Sequence, residues 1–492
     1  MKFFNLIFSF CFLALPLFAA NQEPLQIDLQ DEAKKHLINL ISFDTTQPAP
    51  QEIYPVRYIY TVLNKNKIDW EIYRPQKNRA NLIARLKAPL PEKEKKPALL
   101  LISHLDTAAI QGDWTVTPLK ATIKDGKIYG LGSRDAKNYA AINLTLLTHF
   151  AKNKELLNRD IIFLFTADEE AGSNMGLKYL HDTYPEIFDG IAFALNEGGG
   201  VISTQKDNFL FVEAAGKMYF DILLTARVGS GNSAQTQDNA IYKLSQALGV
   251  LENYELPYQL TPFTRNFFKQ IVQTQDQDAQ TTINMLLNPT EEKYFKQAAK
   301  IISEDTIFQA QIQDSITPTI LTSSEEANTL LPQASALLNC RLLPTTDPQE
   351  FFNKLTKLFE NDEEIILTIK EQPQLPFPQP REEADDELFS SLEKSSKEVY
   401  GQNTKILLGI NPASSESEIL RRFGILTYGI GPQFFTVTKE DKDSQKGGPH
   451  QADEFIEEKA FQDQLNLTFY TLRNMVYQEK PERDERDNNY KK

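Results

Sequence analysis

Cysteine is almost absent from this chain, with Cys11 and Cys340 the only two in 492 residues. That leaves no material for a disulfide framework or for a metal site built from soft thiolates. Histidine is scarce too, with five residues at 36, 104, 149, 181 and 450. Basic charge is in deficit: 52 Lys and Arg stand against 67 Asp and Glu, a net charge of −15 with no single dominant acidic block. Nucleic acid and anionic membrane are therefore poor partners. The apolar stretch in Met1–Ala20, with one early lysine, Pro16 and Ala19-Ala20 before a polar run, is short for a bilayer span. It reads as a secretory leader cleaved near Ala20, an uncleaved anchor being the other reading. Cleavage would remove Cys11 and give a secreted or periplasmic chain with no stable membrane association.

What is present begins with Ala98-Leu-Leu-Leu-Ile-Ser-His104-Leu-Asp106. The apolar run is too short for a separate helix and reads as a buried parallel strand whose carboxyl end presents His104 and Asp106. Open α/β sheets build their sites at that end. Period-two geometry puts both residues on one side, so Asp106 can accept from the imidazole of His104 and fix its tautomer, as a metal-binding histidine requires. Two more strands repeat the pattern. Asp160–Thr166 runs into Asp168-Glu169-Glu170, and Gly190–Leu195 runs into Asn196-Glu197 and three glycines. Three successive acids repel one another unless a cation or a raised pKa relieves them. Between these strands, Gly130-Leu-Gly132-Ser-Arg-Asp135 sets a carboxylate before a helix running to Phe150. Asp135 is either that helix's cap or a bridge between metals. Imidazole and carboxylate without thiolate point to zinc, and manganese or cobalt suit the same donors. His149, closing a helix, and His181, beside Tyr184-Pro185, are expected in surface or capping roles.

In chain order, Ser-His104-Leu-Asp106, Gly130–Lys137, Asp168-Glu169-Glu170-Ala-Gly, Leu-Asn-Glu197-Gly-Gly and Gly-Pro-His450-Gln-Ala-Asp453-Glu454 resemble the motifs of a two-zinc hydrolase family. That family includes aminoacylase, carboxypeptidase G, carboxypeptidase S and succinyl-diaminopimelate desuccinylase. The resemblance implies an α/β fold of the zinc exopeptidase type, a mixed, largely parallel sheet flanked by helices, with an inserted α+β lid or dimerisation domain. The implied division is a leader at 1–20, catalytic segments at 21–216 and 373–478 (the latter opening with a linker), a lid at 217–372, and a charged, disordered tail at 479–492. In the lid, Tyr219–Arg227 alternates like an exposed antiparallel strand, and residues 270–282 form a polar, Gln-rich stretch.

The same resemblance implies that Asp135 bridges two zinc ions, one also held by His104 and Glu197, the other by Glu170 and His450. Glu169 is then the general base, with Asp106 beside it in the catalytic apparatus. Asn232, Asn328 and Arg341 become substrate contacts, and the lid suggests a homodimer. The planar guanidinium of Arg341 matches a substrate carboxylate, an ordinary salt bridge being the alternative. The chain departs from the family twice. Gly231-Asn232-Ser233 stands where a Gly-His-Ser histidine is usual, giving a neutral donor for a developing oxyanion. Ala413-Ser414-Ser415-Glu416 stands where Gly-Gly-Thr-Asp is common. The expected activity is hydrolysis of an amide bond next to a free carboxylate, in a peptide or an N-acyl amino acid. The competing expectation is a metal-loaded binding protein that has lost turnover. Glu169 beside Glu170 favours catalysis, because metal binding alone does not require that second acid.

Overall fold

A strand with a continuous apolar run must be covered on both faces, and that requirement organises this molecule. In the computed structural model, strand Lys96–His104 turns Leu99 and Leu101 into one core and Leu100 and Ile102 into another. The first core is closed by helices Pro24–Ile41, Ile53–Lys65, Lys137–Lys152, Glu387–Tyr400 and Glu458–Val476. The second is closed by Leu177–Thr183 and Glu416–Arg422. Residues described by the structure are 24–203, 208–228, 231–232, 239–323, 329–373, 375, 377–378, 380–381, 384–413, 415–431, 434–436 and 447–477. The expected leader and charged tail lie outside them.

Four strands run parallel at the centre of the ten-stranded sheet: Arg159–Thr166, Lys96–His104, Ile191–Glu197 and Leu426–Ile430. Antiparallel neighbours join both sides, Asn81–Leu86 against Arg159–Thr166 and Asn208–Gly216 against Leu426–Ile430. The sheet is thus mixed and largely parallel, as expected. Its parallel register brings Thr166, His104 and Glu197 to one edge.

A second sheet is wholly antiparallel, in the order Ser315–Thr322, Gln333–Leu342, Met218–Arg227, Ile365–Glu371. Helices Ala240–Glu252 and Pro348–Lys357 cover one face of it, packing on Phe220, Ile222 and Leu224. Met218–Arg227 is an inner strand, paired on both sides, where its alternation suggested exposure. The reason is that its other face is polar yet paired: Tyr219 and Asn339 both bond to Asp221, and Thr225 lies 3.1 Å from Ser335. The polar 270–282 stretch includes much of helix Gln277–Leu287. With Pro262–Ile271, Glu292–Ile302 and Thr306–Ile312, that helix packs on Ile202, Phe209, Phe211 and Leu407 of the large sheet. His149 is buried between Phe150 and Phe469, not at the surface, because the final helix covers its face. Among the described residues no helix is long and apolar enough to cross a membrane.

Candidate metal centre

His104 ends its strand only 1% exposed. Its Nδ1 lies 3.0 Å from the backbone carbonyl of Asp106 and 3.6 Å from the Asp106 carboxylate. The sequence suggested the carboxylate as partner. The strand stops at His104 and the chain turns, so the carbonyl comes closest and joins the Asp106 carboxylate in orienting the ring. Nε2 is left facing Asp135 Oδ1 at 3.1 Å and Glu197 Oε1 at 3.4 Å. Asp106, fully buried, also holds the acidic turn. It accepts from the backbone N–H groups of Glu169 and Glu170 at 3.0 and 3.1 Å and from the Gln47 amide at 3.0 Å.

The tight turn Glu169–Ala171 sets the remaining acids. Glu170 Oε2 lies 3.0 Å from His450 Nε2, which is also 3.3 Å from Asp135 Oδ2. Asp135 therefore offers one oxygen to each histidine. Asp168 turns away from this cluster: Arg79 bonds it at 2.8 Å while also making two 2.7 Å bonds to the buried carboxylate of Glu52. A guanidinium thus neutralises the first of the three successive acids. Gly132 allows the turn before Asp135 to pack closely, since its φ is +81° and a Cβ there would lie 2.8 Å from Lys137 Cδ and 2.9 Å from Thr107 Cγ2.

Electrostatics mark the cluster as a place for cations. Burial raises the carboxyls of Glu169, Glu170 and Glu197, and neighbouring carboxylates add to it. For Glu169 the rise is large, with His104 pulling the other way. Burial opposes charge on His104, yet Glu197, Asp106 and Asp135 lift that imidazole well above its usual range. Hydrogen bonds to Asp135 and Glu170 push His450 up to about 11. Burial would raise Asp135, but His104 and His450 hold its carboxyl well below the usual range. Protons can balance so much negative charge, and so can divalent cations.

Two groups of donors, His104, Asp135 and Glu197, and Asp135, Glu170 and His450, each keep their ligand atoms within 4.8 Å of one another. Imidazole nitrogen and carboxylate oxygen are donors that zinc accepts, and the ring orientation set at Nδ1 of His104 points its other nitrogen into the group. The donor set therefore fits a pair of metal ions.

The expected substrate contacts are less complete. Arg341 sits opposite Tyr219 in the antiparallel sheet, its guanidinium 4.7 Å above that ring and its Nε bonded to Asn339 at 3.1 Å. Burial lowers its pKa, while Glu418 and Glu169 are among the acids that raise it. Asn232 belongs to the short strand Gly231–Asn232, paired with Thr329–Leu330; its side chain, like Asn328 and Ser414, lies outside the described residues. Glu416 is buried and accepts from Thr166 at 2.8 Å and Ser173 at 3.2 Å. The sequence reading assigned no role to Arg79, Gln47 or Glu454. Only Glu454 lies in one of the quoted motifs, and spacing alone carries no sign of what it touches.

Residues 100–474 match Peptidase family M20/M25/M40. An uncharacterized metallohydrolase of Methanocaldococcus jannaschii, MJ0457, is 28% identical over 272 residues, 53% of this chain and 54% of that protein. The chain thus spans about half the length of that relative. The N-fatty-acyl-amino acid synthase/hydrolase PM20D1 of Mus musculus is 22% identical over 388 residues, 76% of this chain and 73% of that protein. Among solved structures, the metallo-carboxypeptidase Sso-CP2 from Sulfolobus solfataricus superposes with a TM-score of 0.63 at 18% identity, covering 90% of this chain and 99% of that one. Bacillus subtilis YXEP, described as a dinuclear metal binding peptidase, superposes with a TM-score of 0.53 at 12% identity over 91% of this chain and 99% of its own.

Proposed function

The chain belongs to Peptidase family M20/M25/M40, and we propose that it is a hydrolytic enzyme that cleaves an amide bond next to a free carboxylate. The substrate is a peptide cut at its carboxyl-terminal residue or an N-acyl amino acid. One observation carries this reading: the two oxygens of Asp135 divide between His104 and His450, with Glu169 on the adjoining turn. A metallo-carboxypeptidase among the structural neighbours and an N-fatty-acyl-amino acid synthase/hydrolase among the relatives support the substrate class.

His104, Asp135 and Glu197 would hold one metal ion and Asp135, Glu170 and His450 the other, donors that suit zinc, with manganese or cobalt as substitutes. When bound, such a pair polarises the scissile carbonyl and makes water more acidic. Glu169 takes the proton from the attacking water as the C–O bond forms, then gives it to the leaving nitrogen as the C–N bond breaks. Asp106 holds that turn through two backbone N–H groups, so Glu169 meets the water in a fixed position. Arg341 receives the substrate carboxylate, and Asn232 donates to the developing oxyanion. The stretch 1–20 would direct export, and the inserted lid at 217–372 would pair two copies as a homodimer.

The test is free-amine release by the zinc-loaded chain from a panel of dipeptides and N-acyl amino acids. Release confined to substrates with a free carboxylate, and lost in Glu169→Gln, is the expected outcome. Equal release from carboxyl-blocked substrates would overturn the substrate class.

A further inference from the structure

The turn that delivers Asp135 is held by a residue far away in sequence. Strand Phe455–Glu457 pairs with Lys127–Tyr129, with Phe455 opposite Tyr129, and this register sets Glu454 against the turn that follows. Glu454 is 1% exposed. Its Oε1 accepts from the backbone N–H groups of Arg134 at 2.8 Å and Asp135 at 3.2 Å, and its Oε2 accepts from Gly132 N–H at 3.0 Å. The Glu454 carbonyl accepts from Gly130 N–H at 2.9 Å. Two glycines with positive φ, at 130 and 132, lie in this turn, so its path depends on such anchors.

The residue before it acts in the same way on another loop. Asp453 accepts from the Thr115 backbone and hydroxyl at 2.7 and 2.8 Å. Three residues earlier stands His450, aimed at Glu170 and Asp135. One short segment therefore supplies a candidate ligand and clamps the backbone of the residue that both candidate ions would share.

We propose that Glu454 is a positioning residue for Asp135, and that through it the 450–454 segment governs both metal ions rather than the one His450 touches. The proposal rests on the reading of Asp135 as the shared ligand. Its consequence is specific. Losing His450 should release one ion, whereas losing Glu454 should weaken both, because the bridge itself moves.

Glutamine separates position from bulk. In Glu454→Gln the side-chain oxygen still accepts from Arg134 and Asp135, but the amide presents a donor to the donor at Gly132. Zinc content per chain and zinc affinity under chelator competition would be measured for the wild type, His450→Ala, Glu454→Gln and Glu454→Ala, with circular dichroism to check folding. Wild type should hold two ions and His450→Ala one. Glu454→Gln should bind both ions more weakly, on the order of 10–100-fold, and Glu454→Ala should retain neither under the same competition. If Glu454→Ala fails to fold, the glutamine variant decides. Wild-type affinity in Glu454→Gln, or loss of only the ion lost in His450→Ala, would overturn the proposal. A wild type holding fewer than two ions would instead overturn the two-metal reading, and this proposal with it.

Discussion

The two halves of the candidate centre share Asp135 and are otherwise built in opposite ways. The inner half takes His104 and Glu197 from the ends of neighbouring parallel strands, with side chains 1% and 16% exposed. The outer half takes Glu170 from a three-residue turn and His450 from a C-terminal loop, and the His450 side chain is 54% exposed. Strand ends are placed by the hydrogen-bond ladder and by cores on both faces, so the inner donors need little further support. Turn and loop donors need anchors, and here the anchors are buried acids and an arginine: Asp106 under the 169–170 turn, Arg79 on Asp168, Glu454 under the 132–135 turn. Half of the centre is thus paid for by the sheet and half by buried polar contacts.

The largest effect expected is on chemistry with both halves filled. Glu169→Gln should keep two metal ions and lower kcat by about 10²–10⁴, read by metal analysis beside amine release; loss of an ion in this variant would make Glu169 a ligand instead. Next comes the anchoring of the acidic turn. Arg79→Met strands Glu52 and Asp168 as buried, unpaired carboxylates, which should cost about 3–5 kcal/mol of stability, measured by urea unfolding. An unchanged midpoint would show that the turn does not depend on that guanidinium. Smaller still is the contrast between single ligands: His104→Ala and His450→Ala should each retain one ion, and substrate protection should differ because only the second opens to solvent. The finest comparison is kinetic. In a chelator time course the outer ion should leave first, seen as one ion lost early in wild type and no early phase in His450→Ala; simultaneous loss would erase the difference between the halves.

This contrast also explains what could be read in advance. Buried strands ending in His104 and Glu197 show in the sequence because a continuous apolar run stopping at a ligand-type residue is a local signal. Asp135 shows through its glycine-rich approach, and His450 through its motif. The Asp106 carboxylate beside His104 was legible from the spacing, whereas the closer backbone carbonyl was not, because nothing in the sequence marks the strand's end at His104. Arg79 bonds Asp168 across 89 residues and Glu52 across 27, and no local pattern encodes contacts of that range. The paired inner strand Met218–Arg227 looked exposed because polar side chains that satisfy one another, as Asp221 and Asn339 do, are indistinguishable in sequence from polar side chains that face water. The fold was more legible than the site's support because hydrophobic periodicity is local, while the hydrogen bonds that aim a ligand are not.

The most direct test is the number of zinc ions bound per chain, by native mass spectrometry, in the wild type and in Asp135→Ala. Two ions in the wild type and none retained in the variant under mild chelator competition is the expected result, since the bridge serves both halves. One ion in the wild type, or two still held without Asp135, would contradict a centre built around a shared carboxylate.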